Sequence, residues 1–370
     1  MHEIKDKLLS IKDVCELLDI TRQTLYTLCE SHGLKPIHIG RKVRFRESDV
    51  LSKFGISHEE NRSNFKHSQG SFCLLDYTTF KELKADQDIF DLSKIIRIDS
   101  HGLMSLLGCI LFAESSPYSK IIINNSRIAT FLNGADFFNQ LKNLAPHSFE
   151  IKETRAKEKR KKAHSLEPTI ILPLTKVGYK GGERKVAEDL SKSLIKLGYS
   201  KDLAAYASWA IGELADNSLT HARKPFCFIM VQALEVEPER AIQITVGDIG
   251  VGVSHALKSN VTYSKLSDSI ALFLAFKSKV SGWPDEAKRG KGLTDVLKIV
   301  MANQSTIRID SGLYGYVLDF RDSKRSVVQR ILPMANEVGT IVSLMLYDRI
   351  FTPYERVVAD TFIEKEMGHL

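Results

Sequence analysis

Residues 202–222 read DLAAYASWAIGELADNSLTHA, and the reading of this stretch governs the rest of the chain. Apolar residues recur at helical spacing, while Glu213, Asn217 and His221 stand four apart, so three polar groups line up along one side of a helix. Asn217 offers a neutral oxygen ligand to Mg²⁺, and Glu213 one turn earlier can orient or deprotonate an attacking hydroxyl. Trp209 is expected on the apolar, core-facing side of the same helix.

Three further elements follow at a distance. AIQITVGDIGVGV, residues 241–253, runs from strand to loop and carries Asp248, Gly250 and Gly252. Asp248 can accept a hydrogen bond from an adenine amino group, in a pocket whose walls approach closely because Gly250 and Gly252 have no side chains. AKRGKGLTDVLKIV, residues 287–300, leads through Gly290 and Gly292 into a helix, whose first N–H groups favour anions; Lys288, Arg289 and Lys291 add positive charge. Gly339-Thr340 opens the apolar strand TIVSLML, from which Thr340 can support Asp248.

In this order the four elements resemble the boxes of the GHKL ATPases, the superfamily of histidine kinases, type II topoisomerases, heat-shock chaperones and anti-sigma kinases. The resemblance covers about residues 185–348. It implies an α+β (Bergerat) domain over 181–350, a mixed sheet with helices on one face, and ATP with Mg²⁺ held beneath a lid near residues 280–292. The short RGKGL loop is like that of the anti-sigma kinases, and no helical hairpin with a phospho-acceptor histidine precedes the domain. The implied type is therefore a serine protein kinase of the anti-sigma kind, not a two-component sensor kinase.

Upstream, FDLSKIIRIDSHGLMSLLGCILFAE (90–114) holds a short apolar strand over 95–98, the turn Asp99-Ser100-His101-Gly102, and an apolar helix from Leu103 to about Phe112; KIIINN follows at 120–125. Strand, helix, strand is an α/β unit. Residues 91–107 look like the signature of the STAS domain, the anti-sigma-factor antagonists, and the resemblance implies a STAS-like α/β domain over 71–146. Ser100 falls on that family's phosphorylated serine, with His101 in place of the usual second hydroxyl residue. A serine at a helix N-terminus is expected to be exposed, and a phosphate there would meet free N–H groups; the alternative is that Ser100 is only an N-cap.

LLSIKDVCELLDITRQTLYTLCESHG (8–33) shows two short amphipathic patterns separated by Asp19-Ile20-Thr21, the spacing of helix, tight turn, helix. Thr21 can cap the second helix and leave Arg22, Gln23, Thr24 and Tyr26 on its exposed first turns, where a recognition helix meets base edges and phosphates. Arg41, Lys42, Arg44 and Arg46 surround a short alternating strand behind Gly40, like a basic wing. Residues 8–54 resemble the excisionase-like winged helix-turn-helix family, a small α+β DNA-binding domain placed at 1–56. That resemblance implies duplex DNA as a partner, with the helix in the major groove and wing cations on phosphate.

The 370 residues suggest two or three domains, and 43% hydrophobic with 26% charged residues is a globular composition, neither disordered nor collagen-like. No stretch has the roughly 20 apolar residues of a membrane helix, and MHEIKDKLLS has no apolar run like a signal peptide, so a cytoplasmic address is expected. The five cysteines form no CxxC pair, which disfavours a zinc site or disulfide framework. The net charge of +7 permits a polyanionic partner; much of it sits in IKETRAKEKRKKAHS (151–165), read as part of a basic linker over 147–180.

The joint expectation is a multidomain chain in which a winged helix-turn-helix reads DNA, a STAS-like domain offers Ser100, and a GHKL domain uses Mg-ATP to phosphorylate it or a partner's equivalent. The alternatives are a non-enzymatic switch, in which ATP changes dimerisation or DNA affinity, and slow ATP hydrolysis. Expected partners are duplex DNA and a protein regulated by phosphorylation, with a homodimer as a further arrangement and no membrane.

Overall fold

The computed structural model describes residues 8–18, 22, 25–26, 29, 34–40, 42–46, 49–50, 89–92, 95, 98–112, 119–123, 125–144, 149–153, 169–179, 181–222, 226–236, 239–282, 291–321, 325–331 and 339–367. At the N-terminus, β1 (Leu8–Ser10), α1 (Ile11–Leu18), β2 (Ile37–Ile39) and β3 (Lys42–Arg46) build a small unit around an antiparallel sheet ordered β1-β3-β2. Ser10 stops the strand and starts the helix. Its hydroxyl accepts from the Asp13 N–H at 3.1 Å while the Asp13 carboxylate accepts from the Ser10 N–H at 2.7 Å, a reciprocal capping box. Gly40 supplies the positive φ (+60°) of the β2–β3 turn. Leu9, Val14, Leu25, Leu34, Phe45 and Val50 form the core of this unit.

The middle segment comprises β4 (Ile89–Asp91), α2 (Ser100–Phe112), β5 (Ser119–Ile123), α3 (Ser126–Gly134), α4 (Phe137–Leu144) and β6 (Phe149–Glu153), with a parallel sheet ordered β4-β5-β6. Of the strand expected over 95–98, Ile95 and Ile98 are buried outside any strand and residues 96 and 97 lie outside the described residues; the parallel sheet has a strand at 89–91. Asn125 caps α3 by accepting from the Arg127 N–H.

The C-terminal segment is built on a seven-stranded sheet from β7 (Thr169–Val177), β8 (Cys227–Val236), β9 (Glu239–Asp248), β10 (Thr306–Ser311), β11 (Tyr314–Asp319), β12 (Ser326–Ile331) and β13 (Thr340–Tyr347), ordered β12-β11-β10-β13-β9-β8-β7. Every neighbouring pair is antiparallel, where a mixed sheet was expected. On one face lie α5 (Gly182–Lys196), α6 (Lys201–His221) and α9 (Gly292–Ala302), burying Leu203, Ala207, Ile211, Leu297 and Val300 against Ile229, Ile244, Ile307 and Leu344. Shorter helices α7 (Val253–Lys258) and α8 (Asp268–Leu274) and a terminal α10 (Ala359–Met367) complete the layer.

The expected linker over 147–180 is corrected at both ends. Residues 149–153 are a strand of the parallel sheet and 169–177 the edge strand of the large one; 154–168 lie outside the described residues.

The middle segment is also not a separate domain. Residues 100–111 of α2 are all buried, as expected of a helix that is apolar on every side. One core joins Phe90, Ile121 and Ile123 of the parallel sheet, Leu103, Leu106 and Leu107 of α2, and Phe228, Met230 and Ile341 of the large sheet. The helix thus lies between two sheets, and the large sheet carries helices on both faces. Gly247 is required there: a Cβ would stand 2.6 Å from Met104 Cγ.

A polar clasp crosses this apolar contact. Ser100 Oγ lies 2.7 Å from Thr245 Oγ1, which lies 2.8 Å from Ser343 Oγ; His101 Nδ1 is 2.7 Å from that Ser343 hydroxyl, and His101 Nε2 is 2.9 Å from Asp310 Oδ2. Arg308 Nε donates to both Asp310 oxygens, at 2.9 and 3.0 Å. Buried polar groups require such partners, since each left unpaired costs about 1–3 kcal/mol. Burial disfavours the Asp310 charge, but Arg308 and then His101 outweigh it and hold the carboxyl well below the usual carboxylate range.

Ser100 therefore stands corrected as an exposed phospho-acceptor. It is fully buried, and its hydroxyl faces the strand pair β9–β13. Nor is it the N-cap: Asp99 Oδ1 accepts from the Gly102 N–H at 2.8 Å and fills that role. Exposure of a helix N-terminus depends on what packs over it, and here the large sheet does.

Candidate functional site

A cavity of about 840 Å³, open mouth included, lies over the ends of β9 and β13 between α6, α7 and α9. It is lined by Asn217 and His221 of α6, Asp248 and Gly252 at the end of β9, Gly292 at the start of α9, and Thr340 at the start of β13. Its walls are mainly apolar, from Leu214, Val253, Leu257, Val280, Leu293 and Val342, as is usual of small-molecule sites.

The antiparallel pairing of β9 with β13 sets Thr340 directly opposite Asp248. Asp248 Oδ1 accepts from the Gly250 N–H at 2.8 Å and the Thr340 N–H at 3.2 Å, and the Ser218 hydroxyl donates to the same carboxylate. The support from Thr340 thus comes through its backbone; its hydroxyl lies 3.2 Å from Ser311 Oγ. Asp248 is only 4% exposed, and burial pushes its carboxyl up to about 6 against these three hydrogen bonds. Three donors fix the group's orientation.

The glycines are close-approach positions. A Cβ on Gly250 would stand 2.1 Å from the Ala222 carbonyl oxygen at the end of α6, the oxygen that accepts from the Val251 N–H. Gly252 has φ +79°, and Gly339 leaves no room for a side chain, with the Gly250 nitrogen at 2.3 Å from its notional Cβ. A Cβ on Gly292 would lie 2.6 Å from Glu213 Oε2 and 3.1 Å from Asn217 Nδ2. The first turn of α9 therefore meets the polar row of α6 so closely that any side chain at 292 would displace the ends of Glu213 and Asn217.

Glu213 stands behind this junction. The Trp209 indole N–H donates to Glu213 Oε1 at 3.3 Å, so Trp209 lies along the polar row rather than solely in the core. Burial raises the Glu213 carboxyl above its ordinary range, with Asp295 and Asp216 adding to the effect and the Trp209 hydrogen bond opposing it. Lys291 is exposed at the N-cap of α9. Lys288, Arg289 and Gly290 lie outside the described residues, as does most of the expected lid.

Sequence reasoning missed Ser218 and the walls from Ala256, Leu257, Ala275 and Val280. Ser218 adjoins Asn217, but its partner Asp248 is 30 residues away, and no local pattern links them. Ala256 and Leu257 are ordinary apolar positions of the short helix α7, and Ala275 and Val280 lie on the connection that follows α8.

The second candidate surface is N-terminal. Arg22 and Tyr26 are exposed and paired, Arg22 Nη2 donating to Tyr26 Oη at 3.2 Å, while Leu25 between them is fully buried. On β3, Lys42 and Arg46 are exposed, whereas the half-buried Arg44 donates to the Val43 carbonyl at 3.0 Å. Gln23, Thr24 and Arg41 lie outside the described residues.

Residues 8–52 match the family model described as a helix-turn-helix domain. The N-terminal segment is a helix-turn-helix domain. This match supports a DNA-binding regulatory role for the chain. No curated protein and no solved structure matches the chain. The chain as a whole is a multidomain α/β architecture with this helix-turn-helix domain at its N-terminus, and among the described residues no helix is long and apolar enough to cross a membrane.

Proposed function

We propose that this protein is a DNA-binding regulator governed by a purine nucleotide, with Mg-ATP held in the cavity of the C-terminal segment in the manner of the GHKL ATPases. The observation that carries this reading is the convergence of Asn217, Asp248, Gly252, Gly292 and Thr340, from four separate stretches of sequence, on one cavity. In this reading Asp248 accepts from the adenine amino group, its acceptor capacity oriented by Gly250, Thr340 and Ser218. The close approach of Gly292 brings the N–H groups of the first turn of α9 beside Asn217, a setting suited to phosphate. The donor set fits magnesium: Asn217 would hold the ion, which neutralises phosphate charge when bound. Glu213 takes up or orients a hydroxyl proton.

Burial of Ser100 favours nucleotide control of conformation, or transfer to a hydroxyl on another protein, over transfer to Ser100 itself. Titration calorimetry with Mg-ATP tests the reading: saturable binding is expected for the wild-type chain and a loss of its magnesium-dependent part for Asn217→Ala. An absence of binding by the wild-type chain refutes it. With γ-labelled ATP, label on protein identifies a kinase, free phosphate a hydrolase, and neither a switch that works by binding alone. A DNA shift assay with and without Mg-ATP then measures the coupling to the helix-turn-helix domain.

A further inference from the structure

We infer that Trp209, braced by the chain that follows β13, is a positioning residue that aims Glu213 at the nucleotide phosphates. The inference rests on the nucleotide reading of the cavity and deepens it. Glu213 divides its two oxygens: Oε1 receives the Trp209 indole N–H at 3.3 Å, and Oε2 faces Gly292, 2.6 Å from where a Cβ would sit. A carboxylate held at one oxygen has its other oxygen set in direction, and here that direction is the start of α9 beside Asn217.

The indole is itself held. Tyr354 meets it edge-on at 5.4 Å and 85°, and Tyr206, one turn back along α6, stacks on Phe351 at 4.5 Å. Both partners come from residues beyond the end of the domain expected from sequence. That segment is tied to α9 as well, since the Thr352 N–H donates to the Ala302 carbonyl at 2.9 Å. It therefore joins the helix that carries Glu213 to the helix that begins at Gly292. An edge-on contact sets the positive ring edge against the negative face of its partner and so favours one ring orientation.

The test uses the full chain. With Trp283→Phe, Trp209 is the only remaining indole of the two in the sequence. Its N–H band in the ultraviolet resonance Raman spectrum is expected at the hydrogen-bonded position, moving to the unbonded position in Glu213→Ala. No shift on that substitution overturns the inference, whatever the nucleotide does. Turnover of γ-labelled ATP, counted as free phosphate plus protein label, is expected to fall at least about tenfold in Trp209→Phe with Mg-ATP affinity unchanged, because displaced reacting groups lose rate rather than binding. The loss is expected to be absent on a Glu213→Gln background, since both changes act through one carboxylate. Equal turnover in Trp209→Phe, additive losses, or a wild-type chain that binds Mg-ATP without turnover each overturn the inference. A wild-type chain that binds no nucleotide overturns the reading of the cavity itself. If Trp209→Phe does not fold, the benzothiophene isostere of tryptophan at position 209 removes the N–H alone and replaces it in every comparison.

Discussion

Replacing Asp248 by asparagine separates what this carboxylate costs the fold from what it does for a ligand. Burial places its carboxyl near 6, against an ordinary value of 3.8. A gap of about two pH units corresponds to roughly 3 kcal/mol between the protonation states. The sign follows from the raised value: the folded protein binds this proton more tightly than the unfolded one. The associated stability is present below pH 4 and lost as the pH rises through 6. Asp248→Asn removes the charge while keeping an oxygen to accept from the Gly250 and Thr340 N–H groups. In the absence of nucleotide, the variant is expected to match the wild type at pH 4 and to gain up to about 3 kcal/mol above pH 7.

Nucleotide binding is expected to move the other way. With one oxygen of the side chain engaged by two backbone donors, the amide presents an NH₂ where the carboxylate presented an acceptor, so donor faces the adenine donor. Losing a hydrogen bond to a charged group costs about 1.5–3 kcal/mol, or roughly 10- to 150-fold in affinity. Wild-type affinity should itself fall as the pH drops below 6, and that of the variant should not. Denaturation at pH 4 and pH 8 with calorimetry at each pH reads both effects. A variant less stable than wild type at pH 8, or one that binds Mg-ATP as tightly, refutes the reasoning.

Gly292→Ala pushes a methyl group to within 2.6 Å of Glu213 Oε2, and Mg-ATP affinity measured by calorimetry should fall at least about tenfold as Glu213 and Asn217 are displaced. Ser100→Glu puts an unpartnered charge between α2 and the large sheet and should cost about 3–5 kcal/mol in denaturant unfolding, whereas Ser100→Ala should cost about 1 kcal/mol, because Thr245 retains Ser343. The clasp also sets an acid limit. Asp310 is held low, so its stability contribution is present above the ordinary carboxylate range and lost as the pH falls toward the depressed folded value; Asp310→Asn should flatten that decline in an acid unfolding series. For the helix-turn-helix domain, Lys42→Ala and Arg46→Ala should each reduce the salt slope of DNA binding by roughly 0.9 for every phosphate the side chain neutralises, and the half-buried Arg44 should matter less.

Much of this molecule was legible along the chain. The four-residue spacing of Glu213, Asn217 and His221 needs only helical geometry to bring them to one face, and that face borders the cavity. The alternation around Phe45 is likewise local, as is the all-round apolar character of residues 103–112. Such properties depend on neighbours within a turn or a hairpin, so the sequence alone determines them. What covers an element does not. Ser100 looked exposed because a helix N-terminus has free donors, yet the large sheet lies over it; residues 169–177 looked like a linker, yet they pair with β8, which begins at Cys227. The partnership of Ser218 with Asp248, the brace from Tyr354 to Trp209 and the clasp of His101 on Asp310 join residues separated by 30, 145 and 209 positions. These contacts exist because burying apolar surface drives whole layers together, and the polar groups carried into the interior must find partners among whatever the other layer presents.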